Sequence, residues 1–416
     1  MRKLILACLV FKGILHIGAM AQPVIRELEP AVDHNHCTTR QFQHMSFQHK
    51  GAWFVFYSDG RDFRYQTSVN GGKTWSRDAM PVDAAPNGST SFDVLKVGDE
   101  VFISHVLYPL GRYDPTAPYA KDPSRRGEYR SEGRIKRGRI VGRAIHWLED
   151  VNPGFVPDYG NLVRDSDGYF WVFTRDAGLG VAHRSQAPGD ISRWNPKVVC
   201  LRAEGRHAMD AAALDQGRLY VASVLTTGGQ LIGNLFDGKS WRQGTTALSN
   251  DMTTVAGDDR RAAMKFDKSN QRLHLIYVDS GNNLRHRSLR APYGDSDWSP
   301  ELSQPGRRLV GDAFTCALSL DTSRSSHGLV LTYGLQRHAG RDRRERTGEI
   351  HVRRFDGLED LGRPLQVSGP GTKLNWYPNV NGDASNGLCV MYSRSVDASS
   401  LQKPLSVMAS IVQQLP

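Results

Sequence analysis

Beyond its first 21 residues the sequence has no apolar run approaching the roughly 20 residues that a membrane-spanning helix needs. It is also poor in cysteine, with five in 416 residues. Cys8 falls in the apolar N-terminal stretch, and Cys37, Cys200, Cys316 and Cys389 lie too far apart for a compact zinc motif. An oxidising compartment permits disulfides among these four, and buried free thiols are the other reading. Long amphipathic helical patterns are scarce, because 41 Gly and 20 Pro punctuate the chain. No helix-turn-helix, finger or RRM-like motif is present, and the arginines are scattered over many turns, which argues against nucleic acid as the partner.

What is there begins with a secretory pattern in residues 1–21: Arg2 and Lys3, an apolar Leu4 to Val10, then Ala19-Met20-Ala21 as a small-x-small cleavage site. The expectation is a secreted or periplasmic protein whose residues 22–416 form a single domain. Its formal charge of +10 suggests an anionic partner, and a polyanionic oligo- or polysaccharide is the leading candidate.

The dominant feature is repetition. AWFVFYS (52–58), EVFISHV (100–106), YFWVFTR (169–175), RLYVASV (218–224), RLHLIYV (272–278), GLVLTYG (328–334) and GLCVMYS (387–393) recur about 48 to 69 residues apart. Each follows a weaker apolar strand and a polar turn, close to the 40–50-residue spacing of propeller repeats once loops are allowed for. This predicts an all-β fold, a seven-bladed β-propeller of four-stranded sheets.

Ser68-Val69-Asn70-Gly71-Gly72-Lys73-Thr74-Trp75 is the sharpest local motif. A short polar side chain there ties down a Gly-rich hairpin while the Trp plugs the gap between sheets. Trp194, Trp241 and Trp298 stand at comparable turns between third and fourth strands and read as packing between blades.

In up-and-down blades the loop leading into the first strand and the loop joining the second and third open on one face. Functional side chains are expected there. The lead-in positions include His34, His36, Arg40, Tyr159, His207, Asp210, Arg261, Trp376 and Tyr377, and those after second strands include Asp59, His105, Arg175, Asp176 and Arg394. Arginines converging on that face would make an anion pocket. Residues 109–139 and 335–348, both basic, are expected as long inserted loops walling the mouth.

The Asn70–Trp75 hairpin resembles the Asp-box of the sialidase superfamily, with Asn70 where that family usually has Asp. WYPNVNGDASNGLCVMYS (376–393) resembles its tyrosine-bearing blade, and DYGNLVRDSDGYFWVFTR (158–175) the blade ending in a substrate-carboxylate arginine. The resemblance implies a six-bladed propeller as the alternative fold, and a retaining exo-glycosidase acting on an acidic glycan. In it Tyr377 would be the nucleophile, Asp210 its base, and Asp59 or Asp176 the acid. Arg175, with Arg40 and Arg261, would hold the substrate carboxylate. The chain departs from the family in lacking Phe-Arg-Ile-Pro near its start, the nearest stretch being Thr39-Arg40-Gln41-Phe42, and in carrying one clear Asp-box.

Two other readings stay open. A polysaccharide lyase would cleave a uronate by β-elimination, with His105, His207 and Tyr159 as proton-transfer candidates and Arg175 neutralising the carboxylate. A non-catalytic glycan binder would use the basic loops with Trp376 and Tyr377 as stacking platforms. None of the three requires a cofactor, and the loop aspartates are where a structural Ca²⁺ would be held.

Overall fold

The computed structural model describes residues 22–32, 43–59, 62–76, 79–83, 91–107, 131–157, 160–203, 207–225, 229–252, 262–294, 297–299, 307–310, 313–323, 328–335, 348–355, 363–369, 375–395 and 405–414. These form seven four-stranded antiparallel sheets, with no α-helix among the described residues. The sheets are the blades of a β-propeller. Blade one covers residues 46–83, blade two 92–151, blade three 161–201, blade four 207–249, blade five 262–310 and blade six 313–366. Within each of these the spatial order of the strands follows the chain, and the first strands of successive blades pack around a common axis.

All seven expected apolar runs form second strands, from Ala52–Ser58 in blade one to Leu388–Ser395 in blade seven. Their residues are apolar on both faces because a blade is covered by neighbours on both faces. Ala52–Ser58 is buried along its whole length, and so is Leu219–Leu225. The hairpin leading into the first of these turns at Lys50 and Gly51, both at positive φ (47° and 81°). Two consecutive left-handed residues give the tight turn whose twist matches the flanking strands.

Blade seven is assembled differently. Its inner strands are Asn375–Val380, Leu388–Ser395 and Leu405–Val412, and its outermost strand is Val24–Val32 from the other end of the chain. Val24 pairs with Ile411 and Ile25 with Ser410 in antiparallel register. The ring is thereby closed by hydrogen bonds between the first and last described strands.

One expectation needs correction. The whole basic GRIKRGR run (133–139), expected within the inserted loop 109–139, lies in a strand: Glu132–Val141 pairs with both neighbouring strands of blade two. Gly133, Ile135, Lys136, Gly138 and Ile140 are its buried positions, and its charges are matched by carboxylates and a carbonyl of neighbouring strands. Arg137 is bonded to Glu100 at 2.6 Å and to Glu149 at 2.8 Å. Lys136 donates to the Val82 carbonyl at 2.8 Å. Opposite charges on adjacent strands allow a basic sequence to form a regular strand. Residues 108–130 and 336–347 lie outside the described residues.

The turns between third and fourth strands hold the blades together. In the first, Asn70 accepts from the Thr74 N–H at 2.9 Å and donates to the Thr74 hydroxyl at 2.8 Å. Trp241 of blade four meets Trp171 and Phe173 of blade three edge-on. Trp298 of blade five meets Tyr220 of blade four at 5.4 Å and donates to its hydroxyl at 3.3 Å. Trp298 is only 5% exposed. Trp298→Ala is therefore expected to lower stability by about 3–5 kcal/mol, the usual cost of a large aromatic cavity, as read from the denaturant midpoint.

Candidate functional site

Two places concentrate polar chemistry: the propeller axis and the flank of blade three.

At the axis, the residue paired with the fifth position of each second-strand run is polar in four blades. Asp93 pairs with Ser104, Asn161 with Phe173, Asp210 with Ala222 and Asn379 with Met391. Blades five and six have Ala263 and Ala317 at that position. The polar side chains reach to the next blade and accept its backbone N–H groups. Asp93 accepts from Leu162 at 2.7 Å, Asn161 from Ala211 at 3.3 Å, and Asp210 from Met264 at 2.5 Å. Asn379 accepts from Met45 at 3.1 Å and also donates to the Gln43 carbonyl. Inner strands have an open edge, and these side chains satisfy amides that would otherwise be unpaired.

The axis also holds ionisable groups. His44 donates its backbone N–H to Asp93 Oδ1 at 2.5 Å, and its Nδ1 lies 3.1 Å from the same oxygen. Its Nε2 is 2.6 Å from Lys265 Nζ of blade five. Burial holds the pKa of His44 below that of a free imidazole, and the nearby Lys265 pushes the same way. Burial likewise lowers Lys265. Burial raises Asp210 to about 7, although Lys265 and the Met264 N–H both favour its charged form. A cavity of about 280 Å³ adjoins His44 and is walled also by Gln48, Lys96, Gly382 and Asp383.

The second place is an open groove of about 720 Å³ between the tail of blade two and blade three. Phe155 stacks on His183 with ring centroids 3.7 Å apart, and Trp194 meets Phe155 edge-on at 5.4 Å. Arg175 and Asp176, at the end of the second strand, join Lys197 in lining it, and Lys197 is ion-paired with Asp176. His183 is held at about 4, chiefly by burial and then by Lys197.

Of the residues expected from the sequence, Arg175 and Asp176 share this groove, while Asp210 sits with the axial cluster. His105 is fully buried, 3.6 Å from Asp83 and 5.5 Å from the Phe63 ring, with a pKa lowered to about 3 by burial and by Lys136 and Arg134. Asp59 is paired with Arg64 at 2.6 Å. Arg394 donates to Asn375 at 3.0 Å within blade seven. The backbones of Trp376 and Tyr377 lie in the innermost strand of blade seven, and His207 opens that of blade four. The side chains of these three, and the whole of His34, His36, Arg40, Tyr159 and Arg261, lie outside what is described. Among the described residues no group of three or more His, Cys, Asp or Glu side chains is placed to hold a metal ion.

Sequence reasoning missed His44, Asp93 and Lys265. Aligning the first strands on the repeat of the second would have exposed Asp93, Asn161, Asp210 and Asn379 as one recurring position. Nothing local marks Lys265, which meets His44 across 221 residues of sequence.

The fold thus defines the class of protein, a seven-bladed β-propeller with a cluster of buried and half-buried ionisable groups at its axis and an aromatic groove on one flank. No family model and no curated protein matches the sequence. Among solved structures, a Dyadobacter fermentans DSM 18053 protein of unknown function is similar at 14% identity with a TM-score of 0.51, covering 93% of this chain and 98% of that one. Trypanosoma rangeli sialidase is 13% identical with a TM-score of 0.48, covering 94% of this chain and 60% of that one. The polysaccharide lyase Uly1 is 11% identical with a TM-score of 0.48, covering 89% of this chain and 90% of that one. At these identities the likeness is one of fold.

Proposed function

We propose that this is an exported, carbohydrate-active propeller that recognises an acidic glycan, with the groove on blade three as its binding site. The observation that carries the reading is the combination in one open groove of the Trp194, Phe155 and His183 rings with Arg175 and Lys197. A sugar ring offers an apolar C–H face to an aromatic ring and hydroxyls to a polar rim. A carboxylate or sulfate on that sugar matches the guanidinium fork of Arg175. Lys197 is partnered by Asp176, so an incoming anion would compete for an ammonium already held in position.

Recognition is better supported than turnover. Asp210, the base expected for Tyr377, accepts a backbone N–H in the same way as Asp93 and Asn161 in their blades. His105, the expected lyase base, is enclosed. Calorimetric titration with sialylated, uronate-containing, sulfated and neutral oligosaccharides tests the proposal. Binding is expected for acidic ligands, weakening with salt as exposed charges are screened. Trp194→Ala and Arg175→Ala should each weaken it by about tenfold or more, the loss of one stacking or bidentate contact. Equal affinity in both variants would overturn the groove assignment. The same incubations read out chemistry. Reducing ends without ultraviolet absorbance of an unsaturated uronate would establish the sialidase-like hydrolase, and Tyr377→Phe should then abolish them. Reducing ends with that absorbance would establish the lyase.

A further inference from the structure

The hydrogen bonds around the axis form a circuit. Asn379 of blade seven holds Met45 of blade one. His44, next in the chain, is bound to Asp93 of blade two, and Asp93 holds Leu162 and the Asn161 amide of blade three at 2.7 and 3.1 Å. Asn161 holds Ala211 of blade four, and the neighbouring Asp210 holds Met264 of blade five. Lys265, next to Met264, reaches back to His44. Blade six joins by its own links to blade seven, through Ser319 to the Asn381 carbonyl at 2.5 Å and Leu320 N–H to the Gly382 carbonyl at 3.2 Å.

We propose that this circuit is a proton-operated girdle, closed while His44 accepts from Lys265 and loosened when His44 takes up a proton. With Nδ1–H given to Asp93, the neutral ring has Nε2 as its only acceptor, and the Lys265 ammonium donates into it. A proton on Nε2 removes that acceptor and sets two cations 2.6 Å apart. Among the described residues, the charged groups facing His44 are Asp93 from blade two and Lys265 from blade five. Lys96 of blade two and Asp383 of blade seven line the cavity beside it. Blade seven comes nearest at Gly382, where an added Cβ would lie 3.5 Å from Nε2 and 3.4 Å from Lys265 Nζ. Gly382 itself has no side chain to take over the proton or shield the lysine. Asp210 faces Lys265 from blade four. The device is independent of the glycan reading.

The sign follows from linkage. A histidine held neutral in the closed state binds its proton in the open one, so opening grows as pH falls below the free-imidazole value of 6.5. Hydrogen exchange resolved by amide tests this in the full-length protein. The Met45, Leu162 and Met264 amides, and that of Val94, which donates to the His44 carbonyl at 3.1 Å, should after correction for intrinsic rates exchange about tenfold faster per pH unit below that value. His44→Gln, an amide that can still bond Asp93 but does not titrate, should abolish this acceleration, and Lys265→Met should reduce it. Acceleration unchanged in His44→Gln would overturn the proposal. Should that variant fail to fold, the parent decides: equal protection of these four amides above and below the imidazole range overturns the proposal, and selective acid loosening sustains it.

Discussion

Acidification from about pH 7 to about pH 4.5 is expected to cost the folded protein about 3 kcal/mol at His105 alone, because its folded-state pKa of about 3 lies far below the unfolded value of 6.5. The imidazole is fully buried, and burial is the main cause of the shift, with Lys136 and Arg134 adding to it. A group whose folded pKa is depressed lends stability above its unfolded pKa and loses it as pH falls toward the folded one. The window is therefore about pH 6.5 down to about 3. His274, 6% exposed and also held at about 3 by burial, the adjacent His286 and Arg272, contributes a similar amount in the same direction. Asp210 acts oppositely. With a carboxyl raised to about 7, it favours the fold at low pH and loses that contribution as pH rises toward 7. The His105 share is thus isolated by difference. His105→Gln should have a denaturant midpoint that falls less with acid than the parent's, the gap reaching about 3 kcal/mol. Parallel curves would show that His105 does not stay neutral in the fold.

Asp93→Ala should be among the most damaging single substitutions in the chain. Asp93 accepts from the His44 N–H and ring, from the Asn161 amide and from the Leu162 N–H, and it is fully buried. Truncation leaves two backbone N–H groups and two side-chain groups without this acceptor. At about 1–3 kcal/mol for each buried unsatisfied group, the loss is comparable with the whole net stability of an ordinary domain, about 5–15 kcal/mol. Asn161→Ala removes a neutral amide and not a carboxylate, losing among its contacts the 3.3 Å bond from Ala211 and the 3.1 Å bond to Asp93, so its cost should be smaller. Soluble yield, thermal midpoint and hydrogen exchange at the axis would establish the ranking. An Asp93→Ala protein as stable as the parent would mean that water replaces the carboxylate and that the axis is wetter than its burial indicates.

The parts of the molecule legible in the sequence are those whose physics is local or periodic. Second strands such as Phe170–Asp176 and Arg272–Val278 are packed on both faces, so they appear as continuous apolar runs, and their regular recurrence counts the blades. The Gly-rich hairpin before Trp75 and the tryptophans at later turns were readable because turn chemistry occupies a few adjacent positions. Arg175 and Asp176 were picked out because they follow a recognisable second strand, although nothing local placed Phe155 and Lys197 beside them.

Tertiary structure alone decided the rest. Val24–Val32 completes blade seven against Leu405–Val412, a pairing with no signal in either segment. Glu132–Val141 is a strand because Glu100 and Glu149 stand across from Arg137, a complementarity invisible within the basic run itself. Asp210, singled out as a base beside Tyr377, was placed by the ring of first strands against Met264 and near Lys265. His44 and Lys265 meet only because seven blades bring their inner strands to one axis. A side chain's pKa depends on burial and on neighbours remote in the chain, so the residue type was visible in the sequence and its chemistry was not.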